Sequence, residues 1–139
     1  KLIINNLRER FIHRFKNSEN RKIYVSRKKA RTRKITNEDE LQKLLESFGY
    51  EIHFFEDYSF QKQVKIMSET KSLISLHGAG LTNMLFMPEG GQVLELRNEN
   101  DSINNCYFTL ASDLNHSYYY QLNKGDKSET SDVNITVDL

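Results

Sequence analysis

The run Leu76-His77-Gly78-Ala79-Gly80-Leu81-Thr82-Asn83 carries side chains whose types and spacing suit an anion. An imidazole can donate a hydrogen bond to a phosphate oxygen or a leaving group. Glycines at 78 and 80 let the backbone approach such a group closely, where a Cβ would collide with ligand or turn. Asn83, one turn on, is placed to bind a ligand or brace the loop. A second set lies between residues 27 and 34, where Arg27, Arg31 and Arg33 are interspersed with Lys28, Lys29 and Lys34. Guanidinium forks match the oxygens of a phosphate. Glu95, in the apolar run Val93-Leu94-Glu95-Leu96, is expected to point to the same rim. There it could accept hydrogen bonds from ribose hydroxyls, or pair with Arg97 or a nearby arginine.

Each feature also has a plainer use. Glycine-rich turns after buried strands often serve only chain reversal, a lone histidine is more often structural, and a basic run is more often a solvated surface. The three-glycine dinucleotide fingerprint and the Gly-Lys-Ser/Thr ending of a phosphate loop are both absent, so neither dinucleotide nor simple triphosphate binding is favoured. His13, His53, His77 and His116 lack close spacing with Cys or carboxylates, and no Asp-x-Asp pair occurs. No metal is therefore expected. The alternative is a basic α/β module that binds nucleic acid without enzymatic activity, since residues 27–34 resemble a basic targeting or RNA-binding stretch. Against it, the aromatics fall at core spacings and no recognised nucleic-acid motif accompanies the charge.

The elements that must position these residues are legible as alternating runs. Ile4, Leu7, Phe11 and Phe15, among Arg8, Arg10, Arg14 and Lys16, predict an amphipathic helix ended by the polar stretch 17–20. Ile23-Tyr24-Val25 predicts a strand leading into the basic loop. Asn37 with Glu40 reads as a capping box, Leu41, Leu44, Leu45 and Phe48 as one apolar face, and Gly49 as the stop. Ile52, Phe54 and Phe55 continue as a strand, and Ser59 caps a helix bearing Phe60, Val64 and Met67. Leu73, Ile74 and Leu76 form the near-continuous apolar run of a strand buried on both faces. After His77-Gly78-Ala79-Gly80 comes a short helix to Phe86, closed by Pro88. Val93 to Leu96 is the next strand, Ile103, Tyr107, Leu110, Ala111 and Leu114 a helix, and Tyr118 to Leu122 extended. Residues 123–132 are polar and expected to be mobile. Val133, Ile135, Val137 and Leu139 read either as an edge strand or as the lead-in to a further helix. Asn115-His116-Ser117 and Asn134-Ile135-Thr136 match the short N-glycosylation pattern.

Such alternation predicts an α/β fold with a Rossmann-like, mostly parallel sheet and helices on both faces. The expected organisation is a helix and linker at 1–20, a Rossmann-like domain at 21–122, and a polar segment at 123–139. At 139 residues, with a single Cys, the chain suits one domain or part of a larger protein and excludes a disulfide scaffold. No run approaches the roughly 20 apolar residues of a membrane helix, and residues 1–16 are too charged for a signal peptide. The formal net charge of +1 hides an asymmetry. Residues 1–34 hold thirteen Lys and Arg against two Glu, whereas residues 72–139 hold three basic and nine acidic side chains. The basic end is thus the one expected to face an anionic ligand.

Val25-Ser26-Arg27 followed by Ala30, Arg33-Lys34-Ile35 and Asn37-Glu38, then Phe60 to Val64, His77 to Asn83, Phe86 and Glu95, resemble the family-61 glycosyltransferases in order and spacing. The resemblance runs over roughly residues 21–97 and more weakly to 139. It implies a metal-independent, inverting enzyme that uses a nucleotide-activated sugar, with this chain as the donor-binding half of a two-domain GT-B arrangement. It further implies that Arg27 and the loop His77, Gly78, Ala79 and Gly80 face the donor diphosphate and that Asn83 supports that loop. Arg33, Asn37 and Glu38 would fix the loop after the first strand, with Arg33 and Glu95 counted in the donor-binding set. The acceptor would be a glycan or polysaccharide, and the general base would lie on a separate N-terminal half. The Lys/Asn/Ile-rich composition and solitary Cys106 lean toward a bacterial cytoplasm, with membrane association through partners. Family members in secretory compartments make the lumen the alternative.

Overall fold

Short apolar runs separated by amphipathic stretches demand parallel strands with helical crossovers, because parallel neighbours cannot be joined by a hairpin. The computed structural model describes residues 2–12 and 20–139 and has this architecture. The order is α1 (Leu2–Ile12), β1 (Arg21–Val25), α2 (Glu38–Ser47), β2 (Glu51–His53), α3 (Phe60–Ser68), β3 (Thr70–Leu76), β4 (Gln92–Asn98), α4 (Cys106–Asp113), β5 (Ser117–Gly125) and β6 (Ile135–Thr136). Two short 3-10 segments, Phe55–Asp57 and Ala79–Phe86, complete the set. The strands form one six-stranded sheet in the order β2-β1-β3-β4-β5-β6. Every neighbouring pair is parallel except β5 with β6.

Period-2 alternation sorts the strand residues to the two faces. Ile23, Val25, Leu73 and Val93 pack with α3, the Ala79–Phe86 segment and α4, whereas Tyr24, Ile74, Leu76 and Leu96 pack with α2 and the C-terminal residues Ile135 and Val137. Full burial of each such side chain stabilises the fold by about 1.5–3 kcal/mol. Helices therefore cover both faces, as expected. Among the described helices none is long and apolar enough to cross a membrane.

Several local expectations are corrected. Of the apolar face predicted for α2 only Leu41 and Leu45 are buried; Leu44 and Phe48, which follows the helix, face solvent. Asn37 does not cap α2 with its side chain. It donates to the Val137 carbonyl at 2.8 Å and accepts from the Val137 amide at 3.0 Å, so a tertiary clamp replaces the local cap. Ser59, by contrast, does accept from the Lys62 amide. β2 ends at His53, and Phe55 is buried at the start of a 3-10 turn instead of extending the strand. The helix after Gly78 is 3-10 throughout, and Ile103 is exposed ahead of α4. Residues 123–125 are strand, and Asn123 is buried with its amide donated to Arg97 and Gln121 carbonyls. The C-terminal apolar alternation forms β6, the edge-strand option. Within α1, Phe11 packs edge-on against Phe60 and Phe86. The predicted continuation through His13, Arg14, Phe15 and Lys16, and the polar stretch as far as residue 19, lie outside the described residues.

Candidate functional site

β1 and β3 are hydrogen-bonded neighbours running the same way, so the chain leaves Val25 and Leu76 on one rim of the sheet. In an open parallel sheet that carboxyl-end rim is where ligands bind. The two sequence-predicted loops meet there. A Cβ on Gly78 would stand 2.5 Å from Nη1 and 3.0 Å from Cζ of Arg27. What the missing side chain admits is thus the Arg27 guanidinium, laid against the loop backbone. Gly80 instead faces the sheet, where a Cβ would lie 3.3 Å from Val25 Cγ1. Ala79 is exposed, and Asn83 braces the loop by donating to the Gly80 carbonyl at 3.3 Å.

The loop after β1 is anchored at both ends. Buried Glu38 accepts from Tyr24 Oη at 2.7 Å and Ser26 Oγ at 2.5 Å, and Ser26 Oγ accepts the Lys28 amide at 3.0 Å. Burial first, and then the neighbouring Glu38, push the Tyr24 phenol far above its ordinary pKa, so it stays a donor. At the far end, Thr36 donates its amide to Ile135 at 2.8 Å, Ile135 donates to Lys34 at 3.0 Å, and Asn134 accepts the Lys34 amide at 2.9 Å. Between these anchors Arg33 adopts φ +58°, a left-handed conformation that costs a non-glycine residue on the order of 1–2 kcal/mol. The same conformation recurs at Asp132, across the cleft described below.

Arg27 and Arg33 are both partly buried, and the Nε of each is buried without a hydrogen-bond partner. Among the described residues neither guanidinium forms an ion pair. Burial, and secondly the charge of Arg33, hold the Arg27 pKa below its usual value. Their basic neighbours are used differently: Lys28 pairs with Asp39 at 2.6 Å and Lys29 with Asp57, all in solvent.

His77 sits at the end of β3, its amide donated to Leu96 at 2.9 Å and its ring edge-on to Tyr107 at 5.0 Å. Nδ1 is hydrogen-bonded to Glu95, and Nε2 lies 3.1 Å from the Asn104 side-chain amide. Glu95 is 1% exposed, does not end its strand, and takes the Tyr118 hydroxyl on its other oxygen. It lies beneath His77 and pairs with no arginine. Burial, and then the hydrogen bond to Glu95, raise the Tyr118 pKa. A cleft of about 320 Å³ opens beside His77, lined by Arg33, Asn98, Asp101, Asn104 and residues 130–132. That volume lies within the range of small-molecule sites.

The cleft wall beyond His77 was missed from sequence, because its residues come from the β4–α4 and β5–β6 connections with no recognisable spacing. One signal was available: buried Arg97 holds the first of these loops by donating to the carbonyls of Asp101 at 2.7 Å and Asn104 at 2.9 Å. A charged residue in a buried strand requires such partners. The assembled rim offers two unpaired guanidiniums and an oriented imidazole, the groups that stabilise charge developing on phosphate oxygens.

A family model described as Glycosyltransferase 61 matches residues 1–94, which include both loops and end one residue before Glu95. The chain is also similar to three proteins named EGF domain-specific O-linked N-acetylglucosamine transferase. It is 41% identical to that of Drosophila melanogaster over 91 residues, 63% of this chain and 17% of the relative. It is 38% identical to that of Mus musculus over 84 residues, 57% of this chain and 16% of the relative. The Xenopus laevis protein is 38% identical over 100 residues, 68% of this chain and 18% of the relative. The matched part of this chain thus spans less than a fifth of the length of these relatives.

Proposed function

The chain belongs to glycosyltransferase family 61, and from that premise we propose that it forms the donor-binding part of an inverting glycosyltransferase. Arg27 and Arg33 meet the diphosphate of a nucleotide-activated sugar, His77 donates to the oxygen that leaves, and the cleft beside His77 takes the nucleoside. Gly78 lets Arg27 lie against the loop, and Asn83 keeps the loop in shape. The acceptor hydroxyl oxygen attacks the anomeric carbon from the face opposite the diphosphate. The bond from that carbon to the diphosphate oxygen breaks and its electron pair leaves with the nucleoside diphosphate. The negative charge that results is met by two guanidiniums and an imidazole. A general base removes the acceptor proton and belongs, with the acceptor platform, to the other half of a GT-B arrangement. The names of the relatives point to N-acetylglucosamine as the sugar and an EGF domain as the acceptor, in place of the polysaccharide expected from sequence.

The observation that carries this reading is the pair of partly buried arginines without an ion-pair partner among the described residues, Arg27 at the Gly78 loop and Arg33 in the cleft beside His77. Its test is calorimetric titration of the chain with UDP, GDP and CMP. One nucleotide should bind, and Arg27→Ala and His77→Ala should each weaken it by about tenfold or more, as loss of a charged hydrogen bond does, with the thermal midpoint unchanged in Arg27→Ala. Titration curves unaffected by both substitutions would overturn the site.

A further inference from the structure

Glu95 is a carboxylate in the middle of a buried strand, between Leu94 and Leu96 and 1% exposed. An apolar residue would pack there without cost, whereas a buried carboxylate is unfavourable unless its oxygens receive hydrogen bonds. Two donors are supplied from two elements. His77, at the end of β3, presents Nδ1 to one oxygen, and Tyr118 of β5 presents its hydroxyl to the other. The tyrosine is held as a donor, since burial and Glu95 itself both raise its pKa.

An ionised carboxylate only accepts, so the ring nitrogen facing it carries a proton whether the imidazole is neutral or charged. The second nitrogen, Nε2, is directed at Asn104, whose side chain serves either charge state. Its NH2 donates to a neutral ring, and its oxygen accepts from an imidazolium. Asn104 is itself fixed through its carbonyl by Arg97, and the ring is steadied by Tyr107 and by the backbone bond to Leu96. The orientation of His77 is thus set from behind by Glu95 and Tyr107 and from the cleft wall by Asn104.

We infer that Glu95, held by Tyr118, is a positioning residue that fixes the His77 proton on Nδ1 and leaves Nε2 as the working atom of the ring. The inference rests on the donor-site reading for the identity of what Nε2 meets, a phosphate oxygen of the nucleoside diphosphate. It extends that reading to two residues that touch no ligand. A ring with its tautomer pinned in this way offers an Nε2–H to an arriving phosphate once charged, without first turning over.

The test is long-range proton–nitrogen NMR of the 15N-labelled full chain, with the His77 signals identified by their loss in His77→Asn. The wild-type neutral ring should carry its proton on Nδ1. In Glu95→Leu nothing accepts from Nδ1, so the proton is no longer held there and the Nε2–H form should appear, and UDP affinity should fall about tenfold, because the charged ring that donates to the phosphate loses its carboxylate partner, with the thermal midpoint of a folded protein retained. Should Glu95→Leu fail to fold, Tyr118→Phe is read instead. The carboxylate then loses its tyrosine donor, and the His77 Nδ1 proton resonance should move to lower field. A wild-type ring protonated on Nε2, or a His77 spectrum indifferent to the variant that folds, overturns the inference. If the tautomer responds as stated but UDP, GDP and CMP all fail to bind, the donor reading fails while the Glu95–His77 relation stands. If a nucleotide binds and the tautomer does not respond, the reverse holds.

Discussion

At the amino end of the sheet, Arg21 donates from Nε to Glu51 and from Nη1 to Glu69, each at 2.9 Å, and Lys65 joins Glu69 from the other side. At the carboxyl end, Arg27 and Arg33 are close enough for each to feel the other's charge, and among the described residues neither forms an ion pair. The hydrogen bond to Glu51 leads the causes that raise the Arg21 pKa, while burial leads those that lower that of Arg27. One residue type thus serves two ends: paired, it ties β1 to β2 and to the start of β3; unpaired, it leaves positive charge for something else to meet. Charge counts alone would merge the two. The distinction also bears on the basic stretch, where Lys28 and Lys29 are neutralised by local partners while Arg27 lies against the Gly78 loop and Arg33 lines the cleft beside His77.

The comparison can be broken most directly at the amino end. Arg21→Met should lower unfolding stability by about 2 kcal/mol, because it strips hydrogen bonds from two carboxylates, one of them buried, and it should leave nucleotide affinity unchanged. Urea unfolding and calorimetry on the same variant decide this; an equal loss of affinity would erase the division between the ends. Gly78→Ala strikes the carboxyl end. Its Cβ would meet the tip of the Arg27 side chain, and the φ of +156° at residue 78 is one that a side chain rarely adopts, so affinity should fall about fivefold, roughly 1 kcal/mol of binding energy, and urea stability should fall by about 1 kcal/mol or more with it.

The smallest effect concerns pH. His116 accepts the Gly91 amide on Nδ1 at 3.1 Å and lies 3.2 Å from the Met84 carbonyl through Nε2, an arrangement for the neutral ring. Burial, the leading cause, holds its pKa below the ordinary value. The unfolded chain therefore takes up this proton first. The contribution is complete above about pH 6.5 and is lost as pH falls below that toward the folded-state value. His116→Gln should flatten the decline in urea midpoint between pH 7.5 and 5.5. His53, shifted in the same direction by burial, supplies the remaining slope. An unchanged slope would assign the acid sensitivity elsewhere.

The fold was legible where pattern and physics coincide. Leu73, Ile74 and Leu76 could be read as a doubly buried strand because parallel sheets exclude water from both faces, and the glycines after His77 marked the turn that follows. Phe48 and Leu44 misled because helical spacing names a face without saying how far the neighbouring layer extends. Asn37 misled for a related reason: its partner is Val137, a long-range backbone group that local spacing cannot show. In the site, Arg27 and His77 were visible as residue types in loops that must share a rim. Glu95 was visible, but its partners were not, since its donors lie just past the end of β3 and on β5. Asn98, Asp101, Asn104 and residues 130–132 were silent, because connections at the carboxyl ends of β4 and β5 converge only when the sheet is built.

The clamp of Asn134, Ile135 and Val137 on the end of the arginine loop joins residues separated by 100 positions. Contacts of that separation form late, because the loop they close must first be drawn together. During synthesis from the amino terminus, the segment bearing Arg27 and Arg33 leaves the ribosome long before the residues that fasten it. Its far end is fastened only once the strand carrying Ile135 has been made. Binding competence and completion of the domain are thereby one event in time.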